Sequence, residues 1–494
     1  MKSIKLGDFQ LIEYDPESEK EIVWNKEIFL KQVKIVQTNL KKLKINSNDI
    51  IAISLPNSVI NYIISYALIN LEIPIANLFF DYREIAVKNR LKIINPKFII
   101  STKDFSSIGY DTIKVEELLI SNKEKNNNII DEIKLKEKLA FIHFTSGTTG
   151  MPKAVPHELK DLEGLLKSNQ KVLELSEKDN YICTADYGWV TGFYYGFILP
   201  LFTNSKTYIV KDATGNNLLK SLKNFKKWEI NKIYSSPSFL TIAIREIKKL
   251  DKKNIKIFSV GEKLKDSLRK KYLENDIELI DTWWQTELGS ITISDNNGNN
   301  NMGKILSGID FAILQNNKIM KNDIENKEGE LLIKRTHPSI FNGYMNSKKS
   351  KFIGDYYQTG DIVKYNENKT FEYVGRSDDV IVRGGELVSP YEIEDFISKN
   401  FDIKEFFIGK TKNNKILLFT VDENINFEEI KNRIFEELSP IMIPDKMIII
   451  KNIPRTYSGK IKKSEVIKEY EDIWTNIWRF FSNSSDWRNP CQKA

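Results

Sequence analysis

The chain has 494 residues, of which 41% are hydrophobic and 29% charged, and its 74 Lys and Arg against 67 Asp and Glu leave a net charge of +7. That length suits roughly two to four domains, and the composition is that of a globular chain, without the single-sign blocks of a nucleic-acid platform. Two cysteines, Cys183 and Cys491, exclude a disulfide framework and make a reducing cytoplasm the default compartment, and the three histidines, His143, His157 and His337, show no zinc spacing.

The N-terminal MKSIKLGDFQLIEYD holds no apolar leader core. The most apolar long stretch, SVINYIISYALINLEIPIANLFF (58–80), is interrupted by asparagines, Glu72 and Pro74. It reads as a buried helix followed by a strand, so no membrane span is expected. Short β-rich runs then recur at IIAISLP (50–56), PKFIIST (96–102), LAFIHFT (139–145), KTYIV (206–210), NKIYSSP (231–237), IKIFSVG (255–261) and IELIDTW (277–283). Segments with helical spacing lie between many of them, as at 238–250 and 263–274. This alternation predicts an α/β fold: parallel or mixed sheets flanked by helices, with ligands at the carboxyl ends of the strands. Past residue 300 the runs EGELLIKR (328–335) and TFEYVGR (370–376) suggest antiparallel pairing. From about 377 a small α+β unit is expected, with helices near 390–399 and 427–437 and strands near 404–421 and 446–451. The expected division is a large N-terminal domain over 1–376, a small C-terminal domain over 377–474, and a tail over 475–494 of unassigned role.

Residues 142–157, IHFTSGTTGMPKAVPH, place two glycines, four hydroxyls and Lys153 at the end of a β-prone run. Glycines expose backbone N–H groups, and with hydroxyls and a lysine these make a nest for phosphates. The Walker pattern does not fit, because Gly147 and Gly150 are too close and Ala154 follows Lys153. A mildly basic chain suits such anionic substrates.

Five segments in fixed order decide the matter. FTSGTTGMPKAVPH (144–157), DTWWQTELG (281–289), YQTGD (357–361), GRSDDVIVRGGELVSPYEIE (375–394) and PRTYSGKIKK (454–463) together resemble the adenylate-forming superfamily of acyl-CoA synthetases, luciferases and peptide-synthetase adenylation domains, over about residues 35 to 470. The resemblance implies ATP, Mg²⁺ and coenzyme A as cofactor and co-substrates of an AMP-forming acid–thiol ligase. It implies that Thr145, Ser146, Gly147, Thr148, Thr149, Gly150 and Lys153 hold the ATP phosphates. Gly261, Glu262, Lys263, Asp281, Thr282, Trp283, Trp284, Gln285 and Thr286 would line the adenosine site, with Asp361 accepting from the ribose hydroxyls and Arg376 supporting ribose or phosphate. Glu287 and Lys460 would be catalytic, Glu287 binding Mg²⁺ with Thr145, and Lys460 bridging acyl and phosphate oxygens. Asp378 would be the hinge, and Gly384 and Gly385 would line the pantetheine tunnel.

DTWWQTE and CTADYGWVTGFYYGFILPL (183–201) look most like the acetyl-CoA synthetase branch, in which Val190, Thr191, Val260 and Trp284 would wall a pocket for a small carboxylic acid. Leu387 stands where that branch carries arginine, Lys263 where it carries proline, and a long N-terminal extension is missing. The acceptor thiol is therefore either CoA or the pantetheine arm of a carrier protein. A nucleotide-binding relative without catalysis is disfavoured, since Lys460, Glu287 and Asp361 are retained. No nucleic-acid partner is expected, and nothing in the chain assigns an oligomeric state.

Overall fold

The computed structural model describes residues 2–82, 84–120, 131–145, 152–213, 215–250, 255–295, 301–347, 350–377, 381–383, 386–388, 390–412, 415–438, 440–455 and 461–472. The chain divides into two compact units, residues 1–359 with 365–372 and residues 360–364 with 373–494.

The first unit is built on two large sheets. One has six strands in the order Lys153–Glu158, Leu139–Thr145, Ile75–Asn77, Ile51–Ser54, Phe98–Ser101, Thr112–Lys114. All its neighbouring pairs are parallel except the first, a hairpin in which Lys153 faces Thr145. The other has nine strands, and its central ladder Glu278–Trp283, Lys256–Ser259, Lys232–Ser235, Asn180–Cys183, Lys206–Val210 is parallel throughout. The hairpin Gln10–Asp15 and Lys20–Asn25 extends this sheet, with Gln10 opposite Lys206.

The stretch 58–80 forms the helix Val59–Asn70 and the strand Ile75–Asn77, and Ser58 caps the helix by accepting from Asn61 N. Ten of the twelve residues of that helix are buried, which explains its even apolarity. With the helix Lys26–Lys42 it joins Ile51, Ile75 and Phe141 of the six-stranded sheet to Tyr181, Ile209 and Tyr234 of the nine-stranded one in a single core. Pro237–Ile247 begins at the cap Ser236 with proline in its first turn, and with Asp266–Leu273 it covers the other face of the nine-stranded sheet. Beyond residue 300 the strands Phe311–Gln315, Lys318–Met320 and Lys327–Lys334 pair antiparallel. The fold is thus α/β with mixed sheets. Among the described residues no helix is long and apolar enough to cross a membrane.

The second unit pairs Phe406–Lys410 with Ile416–Thr420 antiparallel and adds Lys446–Ile449 in parallel. The helices Pro390–Asn400 and Phe427–Glu437 pack on this sheet through Ile393, Ile397, Ile430 and Ile434.

Candidate active site

Thr145 ends one strand and Lys153 begins the next, and the two are register partners. They stand at the two ends of the proposed phosphate loop, whose Ser146, Gly147, Thr148, Thr149 and Gly150 lie outside the described residues.

Glu287 sits on a short 3₁₀ turn, Thr286–Leu288, that follows the strand Glu278–Trp283. Its carboxylate is buried and accepts a 2.6 Å hydrogen bond from Tyr344 Oη. The backbone of this turn is held from beneath by a histidine. His157 Nε2 lies 2.7 Å from Thr286 O, and its Nδ1 lies 3.1 Å from the buried Asp161 Oδ2. Both partners are acceptors, so the ring donates to both when each nitrogen carries a proton. Burial drives His143 well below the usual imidazole range and His337 down to about 3, and a positive charge on the neighbouring His157 ring would lower both further.

Glu287 is a hard oxygen donor of the kind magnesium takes. Among the described residues no group of three or more His, Cys, Asp or Glu could cage a metal ion. One buried carboxylate suits a magnesium ion that draws most of its shell from phosphates and water.

Around the expected acyl pocket the side chains form a directional chain of hydrogen bonds. The Trp284 indole donates to Tyr234 Oη at 2.9 Å, and Tyr234 Oη lies 3.1 Å from Thr282 Oγ1, which donates to Ser259 O at 2.6 Å. An indole can only donate and a carbonyl only accept, so every hydroxyl between them has its direction set. Tyr195, from the buried π-helical turn Gly192–Ile198, meets Trp284 edge-on at 5.3 Å and Tyr234 at 4.9 Å. Val260 is buried in this core, with Val190 and Trp284 packed against it. Thr191 stands at the N-terminus of the same π-helical turn.

Around the expected adenosine site, Gly261 takes φ +88°, and Glu262 Oε2 accepts from Ser238 Oγ at 2.6 Å. Lys263 follows in the same loop, and Trp283 closes the strand that carries Asp281. Burial pushes the Asp281 carboxyl up to about 7, against the lowering charge of Arg269. Gln285 is clamped at both ends of its amide, by Thr359 O at 2.9 Å and Tyr357 Oη at 2.8 Å.

In the second unit Arg376 Nη1 meets Asp361 Oδ1 at 2.9 Å, with Asp361 buried. Gly360 has φ +74°, a backbone region that favours glycine, and a Cβ there would come within 2.7 Å of Arg376 Nη2, so any side chain would push the guanidinium tip aside. Asp378, Gly384, Gly385 and Lys460 lie outside the described residues. Gly384 and Gly385 are flanked by the paired strands Ile381–Arg383 and Glu386–Val388, and Lys460 by the bridged residues Arg455 and Ile461.

The structure adds residues that no sequence pattern marked. Tyr344, Tyr234 and Asp161 touch expected site residues or their supports, but Tyr344 reaches Glu287 across 57 positions and Tyr234 reaches Trp284 across 50. His157 lies within the loop segment and was legible there as a residue, though not as a partner of Thr286.

A family model described as AMP-binding enzyme matches residues 29–345. The acetyl-coenzyme A synthetase of Bacillus subtilis is 28% identical over 470 residues, covering 86% of this chain and 81% of that protein. That of Cryptosporidium parvum is 29% identical over 384 residues, but these cover 55% of its length and 68% of this chain. The chain therefore spans only about half the length of some of the relatives it matches. Among solved structures, O-succinylbenzoate coenzyme A synthetase from Bacillus subtilis in complex with AMP superposes with a TM-score of 0.80 at 18% identity, over 92% of this chain and 95% of that one. ATP-bound MatB from Rhodopseudomonas palustris gives 0.81 at 17% identity, over 95% and 98%.

Proposed function

The chain belongs to the AMP-binding enzyme family, and from that premise we propose that it joins a short carboxylic acid of the acetate or propionate class to the thiol of coenzyme A, at the expense of ATP. A carboxylate oxygen of the acid attacks the α-phosphorus. The bond from that phosphorus to the bridging oxygen breaks, giving acyl-AMP and pyrophosphate. The thiol then loses its proton and attacks the acyl carbonyl, and AMP departs with the bonding pair.

Catalysis of the first step is mainly positioning and charge neutralisation. Thr145 and Lys153 hold the two ends of the loop that takes the β- and γ-phosphates. Glu287 presents one oxygen to magnesium, which neutralises phosphate charge when bound. Lys460 bridges the acyl and α-phosphate oxygens, Asp361 accepts from the ribose hydroxyls, and Arg376 orients Asp361. For the second step the hinge at Asp378 turns the C-terminal domain, withdrawing Lys460 and bringing Gly384 and Gly385 to the pantetheine arm. A hinge that absorbs its motion at one residue is an established device. We place this chemistry in the cytoplasm, in keeping with the free Cys183, whose thiol burial pushes up to about 12.

The short-acyl part rests on one observation, the Trp284 indole tied to Tyr234 and packed, like Val190, against the core cluster that holds Val260. A hydrogen-bonded indole is a stiff wall, and at the end of an acyl pocket it would leave room for few methylenes. The test is acid-dependent ATP–pyrophosphate exchange over a panel of acids, followed by product analysis with CoA and with a phosphopantetheinyl carrier protein. Exchange with acetate or propionate and acyl-CoA as the product support the reading. Acylation of the carrier alone would reassign the acceptor, and no exchange with any acid would overturn the reading.

A further inference from the structure

Residues 337–346 touch both the turn that carries Glu287 and the backbone on either side of Lys153. Ser339 Oγ donates to Leu288 O at 2.7 Å and Phe341 N to Glu287 O at 2.8 Å, so the start of the segment holds the turn. At its other end Met345 N donates to Ala154 O at 3.0 Å. Asn346 Nδ2 donates to Pro152 O at 2.9 Å, and its Oδ1 accepts from Ala154 N at 3.0 Å. The Asn346 amide thus grips the strand start on both sides of Lys153. Between these two anchorages stands Tyr344. Its hydroxyl donates to Glu287 Oε1 at 2.6 Å, and its ring centroid lies 5.1 Å from Lys153 Nζ.

We infer that Tyr344 is a positioning residue that couples the magnesium ligand Glu287 to the phosphate-loop lysine Lys153. The inference rests on the roles proposed above for those two residues. A carboxylate that accepts a short, charge-assisted bond at one oxygen has its plane fixed and presents the other oxygen to a cation. A ring face within about 6 Å of an ammonium attracts it electrostatically. One rigid side chain therefore sets the cation ligand and the phosphate-facing charge in mutual register. Partners that orient a metal ligand in this way change metal affinity by about ten- to a hundredfold when removed.

The test is calorimetric titration of the full chain with ATP, once in excess Mg²⁺ and once in EDTA, for the parent, Tyr344→Phe, Tyr344→Leu and Glu287→Gln. Melting temperatures are taken alongside. Tyr344→Phe keeps the ring and loses the hydroxyl. It should weaken binding about tenfold in Mg²⁺ and leave the EDTA value and the melting temperature unchanged. Tyr344→Leu, which also loses the ring, should weaken binding in both media. A Tyr344→Phe protein that binds Mg·ATP as the parent does, or that loses affinity equally with and without the metal, overturns the inference. If Glu287→Gln weakens Mg·ATP binding while Tyr344→Phe does not, the role of Glu287 stands and only the positioning role of Tyr344 fails. If Glu287→Gln binds Mg·ATP as the parent does, both fail together.

Discussion

Replacing Trp284 by glycine tests the acyl pocket most directly. The substitution removes the indole and with it the first link of the chain that runs through Tyr234 and Thr282 to Ser259. Tyr234 keeps its bond to Thr282 and its edge contact with Tyr195, so the wall behind the indole remains standing. Trp284 and Val190 both pack against the core cluster that holds Val260, so the vacated space adjoins that apolar cluster. Each methylene buried there is worth about 0.8 kcal/mol. Two more methylenes, from acetate to butyrate, supply about 1.6 kcal/mol, a little over tenfold in kcat/KM. Acetate itself should lose efficiency, because nothing then presses its methyl group into place and water can enter. The assay is kcat/KM by pyrophosphate release for straight-chain acids from acetate to octanoate, at saturating ATP, Mg²⁺ and CoA. The expected result is a crossover in preference rather than a uniform loss. A parent that already favours hexanoate, or a variant with an unchanged ranking, refutes the short-acyl assignment. Tyr234→Phe refines the test: the indole stays but loses its anchor, and one net hydrogen bond of about 1 kcal/mol predicts about a fivefold loss for acetate.

Three further outcomes are expected. Lys460→Ala should nearly abolish acyl-adenylate formation yet spare thioester formation from supplied acyl-AMP; equal loss in both half-reactions would end that division of labour. Asp378→Pro should permit adenylation and block thiol transfer, because proline fixes φ at a residue that must change it; normal overall turnover would remove Asp378 as the hinge. Burial pushes the Asp186 carboxyl up to about 7, so the folded state binds that proton more tightly than the unfolded one. The resulting stabilisation is whole below about pH 4 and is lost as pH rises to about 7. Asp186→Asn retains the acceptor that Gly188 N meets at 2.7 Å but does not titrate. Its melting temperature should therefore fall less than the parent's across that window, and identical slopes would dismiss the effect.

Local pattern sufficed for much of the fold. The apolar run with Glu72 and Pro74 at its break becomes the helix Val59–Asn70 and the strand Ile75–Asn77, and KTYIV is the strand Lys206–Val210. In the small unit, the segment expected as a helix over 427–437 forms Phe427–Glu437. These outcomes depend on hydrophobic period, caps and breakers within a few residues, all of which are written in the chain locally. The order of the five segments was likewise enough to suggest the family. Pairing across long separations was not legible. The hairpin Gln10–Asp15 and Lys20–Asn25 carries no sign that it will extend a sheet at Lys206, because strand pairing depends on which edge the folded chain leaves open. The turn of Glu287 could be read, but its bond to Tyr344, the His157 clamp on Thr286 and the chain from Trp284 to Ser259 could not. A tyrosine between Gly343 and Met345 looks like any surface aromatic in the sequence. Only the close packing of distant segments gives its hydroxyl a carboxylate at 2.6 Å, since a hydrogen bond needs its partner within a few tenths of an ångström and no local rule specifies that distance.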